Sequence, residues 1–340
     1  VSLSILSSVV GVIGIFSVQA QDAPVSLGRV FAKNEKLAYD VKSSLHSEHK
    51  MRGLDTWIPE DLDLNYGFTT VVEAMKADGI AVVRYQRPIM HEIEGETFNA
   101  PPQDHVIKSN LDLRLTVSPI NEILEMKDLA PKTPKPEAES GSELLRFAGG
   151  RRQKSTTGIL GQFVSEMYRL SLFAGSFESS LDFAPKTPVD PVKVGETWKH
   201  TVGYQPQALK GKGNKQAVQR LDYTFTYKGI VESEGKKVYR VEGSLDLKTD
   251  LGDFVNQLVG MKPEDTGLKK VPLHMKSTIE FDLDMKTRTT ILAQAVTECG
   301  FGLYVTAYPD EAVQEDKVKA HTTMRLVGQK IIQAPAKKGR

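Results

Sequence analysis

Over several stretches of this chain apolar side chains recur at every second position, the period of a strand with one face in a core and the other in water. Leu64, Tyr66 and Phe68 alternate with Asn65, Gly67 and Thr69, and Leu221, Tyr223, Phe225 and Tyr227 alternate with Asp222, Thr224 and Thr226. Each run leads to an acidic glycine turn, Ala77-Asp78-Gly79 in the first and Ser233-Glu234-Gly235 in the second. Each then continues into a further strand-like run, Ile80–Tyr85 and Lys237–Val241. The pattern predicts one β-hairpin present twice.

A second hairpin is duplicated as well. Leu111, Leu113, Leu115 and Val117 alternate with polar residues before a turn at Ser118-Pro119-Ile120-Asn121 and a return through Ile123-Leu124-Glu125-Met126. Ile279, Phe281, Leu283 and Met285 do the same before Lys286-Thr287-Arg288-Thr289 and Ile291-Leu292-Ala293. The copies of the first hairpin lie 157 residues apart (Leu64 to Leu221) and those of the second 168 (Leu111 to Ile279), so the second copy carries an insertion. There Leu251, Phe254, Val255, Leu258 and Val259 fall at helical spacing between Asp250 and a stop at Gly260. Leu37, Tyr39 and Val41 open the first copy with a strand, Trp198, His200, Val202 and Tyr204 open the second, and two added strands are expected near Phe301–Ala307 and Lys319–Val327.

Between the copies, Ala130–Glu137 holds three prolines among lysines and reads as a stiff linker. Ile159, Leu160, Phe163, Met167, Leu170 and Phe173 then mark an amphipathic helix ending near Gly175. The expected organisation is a signal peptide over 1–20, an N-terminal antiparallel module over 21–128, linker and helix over 129–185, a C-terminal module with its inserted helix over 186–330, and a basic disordered tail over 331–340. The fold class is therefore mainly β with a few helices. The two modules either pack as separate sheets or join in one curved, half-open, barrel-like sheet with the helices across its concave face.

Composition narrows the function. With 40% hydrophobic and 26% charged residues among 340, the chain can bury a substantial core. Its 44 basic and 43 acidic residues nearly cancel, which removes the field that would draw nucleic acid to the whole surface. Residues 1–20 hold no charge and end in Val18-Gln19-Ala20, an apolar run with a small-x-small cleavage site. Cleavage after Ala20 would place the mature chain in the periplasm or medium, with Gln21 arguing against a lipid anchor and no later stretch apolar enough to span a bilayer. The single cysteine, Cys299, has no partner for an intramolecular disulfide and reads as a small buried hydrophobe.

Chemistry is sparse. There is no G-x-S-x-G, no G-x-x-x-x-G-K-[ST], no H-E-x-x-H and no C-x-x-C, although triads assembled across a fold leave no local signature. His46-Ser47-Glu48-His49 brings two imidazoles and a carboxylate together, but in a strand His46 and His49 point to opposite faces. Asp61-Leu62-Asp63-Leu64-Asn65 imitates the start of a calcium loop, yet Tyr66 stands where the turn needs glycine and Val72 where it needs a bidentate Glu. Lys210–Lys215 and Gly149–Lys154 are basic and glycine-rich, and read as solvated loops. Trp198 is in phase with Val202 and Tyr204 and belongs to a core, whereas Trp57, beside Ile58-Pro59, suits a rim. No cofactor and no metal are assigned.

Pro188, Val192, Gly195 and Trp198 form a P-x-x-x-V-x-x-G-x-x-W lead-in to the paired strands. In this the chain resembles a family of uncharacterised exported bacterial proteins, a domain of unknown function. The resemblance is clearest over Pro185–Val327; the N-terminal copy lacks the Gly-x-x-Trp step. It implies paired β-hairpins and brings no catalytic residues.

The expected function is that of a non-enzymatic protein of the cell envelope, binding a lipid or other apolar or amphiphilic ligand between sheet and helices, with Phe163, Met167, Phe254, Leu258 and Trp57 lining the site. Exported lipid and lipoprotein carriers are similar in outline, an analogy of architecture only. The alternative is a scaffold that binds an envelope partner through strand edges or loops; an enzyme of unrecognised class comes third.

Overall fold

The structure, a computed structural model, describes residues 23–87, 90–94, 106–107, 111–129, 184–204, 219–259, 264 and 267–331. The expected linker from Ala130, the stretch expected as a helix with Phe163 and Met167, the two basic stretches expected as loops, the N-terminal apolar run and the tail from residue 332 lie outside the described residues.

Strands dominate what is described. In chain order they are β1 (Glu35–Met51), β2 (Ile58–Met75), β3 (Ala81–Arg87), β4 (Met90–Glu94), β5 (Val106–Ile107), β6 (Leu111–Val117), β7 (Ile123–Asp128), β8 (Thr197–Tyr204), β9 (Gln219–Ser233), β10 (Lys236–Asp250), β11 (Leu268–Lys270), β12 (Pro272–Asp284), β13 (Thr290–Val305) and β14 (Gln314–Ile331). The α-helix α1 (Gly252–Val259) covers the expected 251–259 periodicity except Leu251, which immediately precedes it. The two added strands resolve differently from expectation. Phe301–Val305 is the far half of β13, which runs on through Gly300 and Gly302, and only β14 is a strand of its own.

The two copies are joined in a single antiparallel sheet that does not close into a barrel. Its order is β7-β6-β3-β2-β1-β14-β13-β12-β10-β9-β8, with β4 and β5 beside β2, and β11 beside β13. The link between copies is the pairing of β1 with β14, in register from Glu35↔Ile331 to Met51↔Gln314. Segment 28–30 reaches both the β6–β7 turn and the β12–β13 turn, since Arg29 donates its backbone N–H to Pro119 O at 2.7 Å and Val30 to Thr287 O at 2.9 Å. Strands β6 and β13 are five spacings apart along the sheet, about 24 Å if it were flat, so a short segment can touch both turns only because the sheet curves.

That curvature gives the sheet its two faces. On the concave side, rows such as Val41, Met324, Ala293, Phe281 and Val241 pair across five strands and belong to one continuous core. On the convex side, Asp61, His46, Lys319, Glu298, Lys276 and Asp246 stand in register across six strands. His46 meets Asp61 at 2.6 Å and Lys319 meets Glu298 at 3.3 Å. Such exposed pairs contribute little stability and mainly keep the outer face wet.

The duplication is visible in the backbone. Both acidic glycine turns have positive φ at their two central residues, 58° and 72° at Asp78 and Gly79, 50° and 75° at Glu234 and Gly235, the geometry of a tight hairpin turn. Arg84 of β3 clasps Asp112 of β6 at 2.8 and 2.6 Å, which holds the Asp112 carboxyl below the usual carboxylate range. In the second copy Arg240 of β10 clasps Asp282 of β12 at 2.8 and 3.0 Å.

The lead-in is duplicated too, in disguise. In the second copy the Gly195 N–H donates to Tyr227 O at 2.8 Å and the Glu196 N–H to Lys193 O at 3.1 Å. In the first the Asn34 N–H donates to Val72 O at 2.8 Å and the Glu35 N–H to Ala32 O at 3.1 Å. Asn34 has φ 65° and Gly195 φ 85°. Asparagine tolerates the left-handed region better than other side chains except glycine, so it can stand where the second copy has Gly195. Asn34→Ala is expected to lower stability by about 1–2 kcal/mol and Asn34→Gly to leave it nearly unchanged, read as shifts in urea midpoint at constant slope; equal losses in both variants would refute the assignment.

Candidate functional site

The segments that lead into the two copies also cross over one end of the curved sheet and cover it. Val25 and Val192 pair as an isolated antiparallel bridge, N–H to O at 2.8 and 2.9 Å. Asn121 Nδ2 donates to Pro185 O at 2.8 Å, Lys186 Nζ to Asn121 O at 2.6 Å, and Arg288 Nε to Ser26 O at 3.0 Å. Leu27 is fully buried beneath this cap. At the opposite end, Leu251 and the α1 residues Phe254 and Val255 pack into the core, and Asp250 Oδ1 accepts the N–H groups of Gly252 and Val271, both at 2.8 Å.

Under the cap lies a partly open cavity of about 120 Å³, walled by Phe31, Leu37, Phe68, Val83, Leu115 and Met324. Its charged and amide groups are those of Arg29, Glu35, Asn121 and Arg288, beside the hydroxyls of Thr70 and Thr290. Arg29 Nη2 donates to Glu35 Oε2 at 2.5 Å, with both side chains almost wholly out of water. The Arg29 guanidinium also reaches Val30 O, Thr287 O at 3.0 Å and the Phe31 ring, 4.8 Å from its centroid. Gln329 Nε2 donates to the second Glu35 oxygen at 3.1 Å. The pair is thus neutralised and hydrogen-bonded, as a buried pair requires. Tyr39, also on the wall, stacks on Phe68 at 4.8 Å and donates its hydroxyl to Thr290 O at 3.2 Å. Burial pushes the Tyr39 pKa up, with Arg29 opposing and Glu35 adding to the shift, so the group is a neutral donor.

The residues expected to line a ligand site are dispersed. Phe254 is buried in the core at the α1 end and is not on the cavity wall. Leu258 lies in α1, its side chain outside what is described, as are Phe163 and Met167. Trp57 stands on the β1–β2 connection, at the end of β1 away from the cavity, half-buried, with Lys317 Nζ 4.0 Å from its ring centroid, and is not on the cavity wall. Trp198 packs against the core, stacked on Phe225 at 5.8 Å, and its Nε1 donates to Lys186 O at 2.6 Å. Cys299 is buried in β13. His46 and His49 lie in regular β1 strand, and Asp61–Asn65 in β2, so neither stretch makes the turn that a shared cation needs. Among the described residues no group of three or more His, Cys, Asp or Glu side chains could hold a metal ion, and no helix is long and apolar enough to cross a membrane.

Sequence reasoning did not assign Arg29, Glu35, Asn121 or Arg288 to a site. The one signal that could have found them is the Asn34-Glu35 and Gly195-Glu196 correspondence, which marks the first lead-in as structured and points to its only arginine, Arg29.

No family model matches the chain, and no curated protein matches it. Among solved structures it is similar to lipovitellin, in a structure described for its lipid–protein interactions, at 9% identity and a TM-score of 0.39 over 91% of this chain. The chain spans only 27% of the length of that lipovitellin chain. It also resembles DynF from the dynemicin biosynthesis pathway of Micromonospora chersina, at 8% identity and a TM-score of 0.23 over 94% of this chain and 92% of that one. A DUF1329 family protein from Desulfovibrio piger follows at 8% identity and a TM-score of 0.14, covering 85% of each chain. At such TM-scores these likenesses carry no argument about what this chain does.

Proposed function

We propose that this is an exported, non-enzymatic binding protein of the cell envelope, related to the exported family whose lead-in it shares, and that it takes an apolar or amphiphilic ligand under the cap. The observation that carries the reading is the cavity: apolar walls, one neutralised ion pair and the Arg288 guanidinium at the polar side. Its volume, about 120 Å³, is below the range of about 300–1,000 Å³ usual for sites that enclose a drug-sized ligand. It is close to that of engineered apolar cavities of about 150 Å³ that accept benzene. The ligand therefore places a ring or a short acyl segment between Phe68, Val83 and Leu115, and its polar end stays beside Asn121 and Arg288. A whole lipid does not fit inside, so this is recognition of one end of a molecule.

The test is native mass spectrometry of the protein purified from its own envelope or medium, followed by organic extraction. A stoichiometric apolar mass is expected on the native chain and is expected to be lost on Leu115→Phe, which fills the cavity. A clean ligand-free mass for the native chain, with extracts matching those of the variant, overturns the reading.

A further inference from the structure

The hydrogen bonds of the two copies match residue by residue, whatever the side chains. The Asn34 N–H donates to Val72 O as the Gly195 N–H donates to Tyr227 O. Immediately beyond, each hairpin bulges: β2 and β3 shift register after the Val72↔Val83 pair, and β9 and β10 after Tyr227↔Val241. On the next strand Leu115 lies opposite Val83, and Phe281 opposite Val241. The Ser118 N–H then donates to Glu122 O at 2.9 Å across the β6–β7 turn, and the Asp284 N–H to Thr289 O at 2.8 Å across the β12–β13 turn, and a bulge follows each turn. These marks agree on one register. On β2 and β9 it lies two residues off the repeat of the sequence, so that Thr70, and not Phe68, takes the backbone position of Phe225.

In this register the cavity wall has a twin. Leu37, Thr70, Val72 and Leu115 line the cavity, and Trp198, Phe225, Tyr227 and Phe281 hold the same four positions in the second copy. All four twins are aromatic. Trp198 stacks on Phe225 at 5.8 Å, Phe225 meets Phe281 at 6.4 Å, and Tyr227 meets Tyr239 edge-on at 5.9 Å. The wall residues Tyr39 and Phe68 have His200 and Tyr223 as twins, rings in both copies. The second copy is the smaller at Gly243, the twin of Tyr85, but Tyr85 is not on the cavity wall. One backbone frame is therefore closed by four extra rings in the second copy and left open in the first.

We propose that the cavity is the open member of a duplicated ring-packing site, and that the group it takes is an aromatic ring rather than an acyl chain. The ring supplies from outside the packing that Trp198, Phe225, Tyr227 and Phe281 supply from within the second copy. This rests on the cavity being a binding site. Its wall already offers aromatic surface, since Phe68 and Tyr39 stack with their planes 19° apart. A ring gains from offset or edge contact with such surfaces beyond the area it buries, whereas an acyl chain gains the area alone. Leu37, Thr70, Val72 and Leu115 are then specificity-determining: each leaves room where its twin carries a ring.

The probes are benzyl alcohol and hexanol, which carry the same hydroxyl on a ring and on an acyclic chain. Each is titrated into the full chain, with the methyl NMR signals of Val83 as the readout. Benzyl alcohol is expected to bind about tenfold more tightly. Equal or tighter binding of hexanol overturns the aromatic assignment and leaves the cavity reading standing; signals that move with neither probe overturn both. The twin relation is tested by exchange of side chains. Leu115→Phe gives the first copy the ring of Phe281, Val72→Tyr gives it that of Tyr227, and each is expected to abolish binding of benzyl alcohol. The double variant Phe281→Leu with Tyr227→Val gives the second copy the side chains of the first and is expected to take up a second equivalent, read at the Val241 methyls. A cooperative urea transition shows that this variant is folded; if it is folded and still binds one equivalent, the twin site is refuted. Should it not fold, the first-copy variants decide, since undiminished binding by Leu115→Phe and Val72→Tyr overturns the proposal.

Discussion

Arg29→Ala is expected to destabilise the protein by about 3–5 kcal/mol, the usual cost of removing one partner from a buried ion pair and leaving the other charge in the interior. Glu35 is 2% exposed and Arg29 6%, so neither carboxylate nor guanidinium can recover its hydration without opening the cap. The guanidinium also ties the first lead-in to the β12–β13 turn through Thr287 O, and Glu35 ties the start of β1 to Gln329 near the end of β14. The single variant therefore loosens the corner where the two copies meet. The contrast that separates burial of charge from loss of packing is the double variant Arg29→Met with Glu35→Leu. An apolar pair of similar volume removes both charges, and such replacements are often neutral, so the double variant is expected to regain most of the stability lost by Arg29→Ala. Urea unfolding at constant slope measures all three chains. A loss below about 1 kcal/mol for Arg29→Ala, the range of exposed pairs, would mean that water reaches Glu35 and that the cap is open in solution.

Much of the fold was legible because period-two alternation survives in the sequence wherever one face of a strand is dry. Tyr66 and Phe68 read as one hairpin strand and Tyr223 and Phe225 as its copy, and all four are buried in the same core. The acidic glycine turns were legible because only a few residue types suit two successive positive φ values. The link between the copies was not. β1 and β14 pair across nearly the whole chain, and either strand alone looks like any other half-buried strand, so local pattern says nothing about which edges meet. Strand length was misread at β13 because Gly300 and Gly302 interrupt the apolar alternation, although the strand continues through both. The cavity was the least legible part. Its polar side is assembled from Arg29, Glu35, Asn121 and Arg288, which come from a lead-in segment, a strand end and two turns, and three of the four sit in no periodic run.

The second large effect is expected at Phe225. This ring is the hub of the second copy's aromatic cluster, with its centroid 5.8 Å from Trp198, 5.9 Å from Tyr223 and 6.4 Å from Phe281. Phe225→Ala removes a fully packed ring from the concave face and is expected to cost about 3–5 kcal/mol. The ring lies where it does because its cross-strand partner is Gly243; a Cβ at Gly243 would come within 2.8 Å of Phe225 Cε1. Gly243→Ala therefore forces the ring to tilt and is expected to cost about 1–3 kcal/mol by overpacking. These two losses should not add. Once Phe225 is alanine the new methyl group at 243 meets empty space and fills part of the cavity, so the double variant is expected to be no less stable than Phe225→Ala alone. A double-mutant cycle then gives a coupling of about 1–3 kcal/mol between the two positions. Additive losses would show that the glycine is required by its backbone rather than by the ring above it. Phe68, the counterpart of Phe225 in the sequence repeat, stacks on Tyr39 at 4.8 Å and lies tilted against Tyr85 at 5.1 Å but also walls the cavity. Phe68→Ala is thus expected to cost less than Phe225→Ala, because a side chain already facing open space has fewer packing contacts to lose.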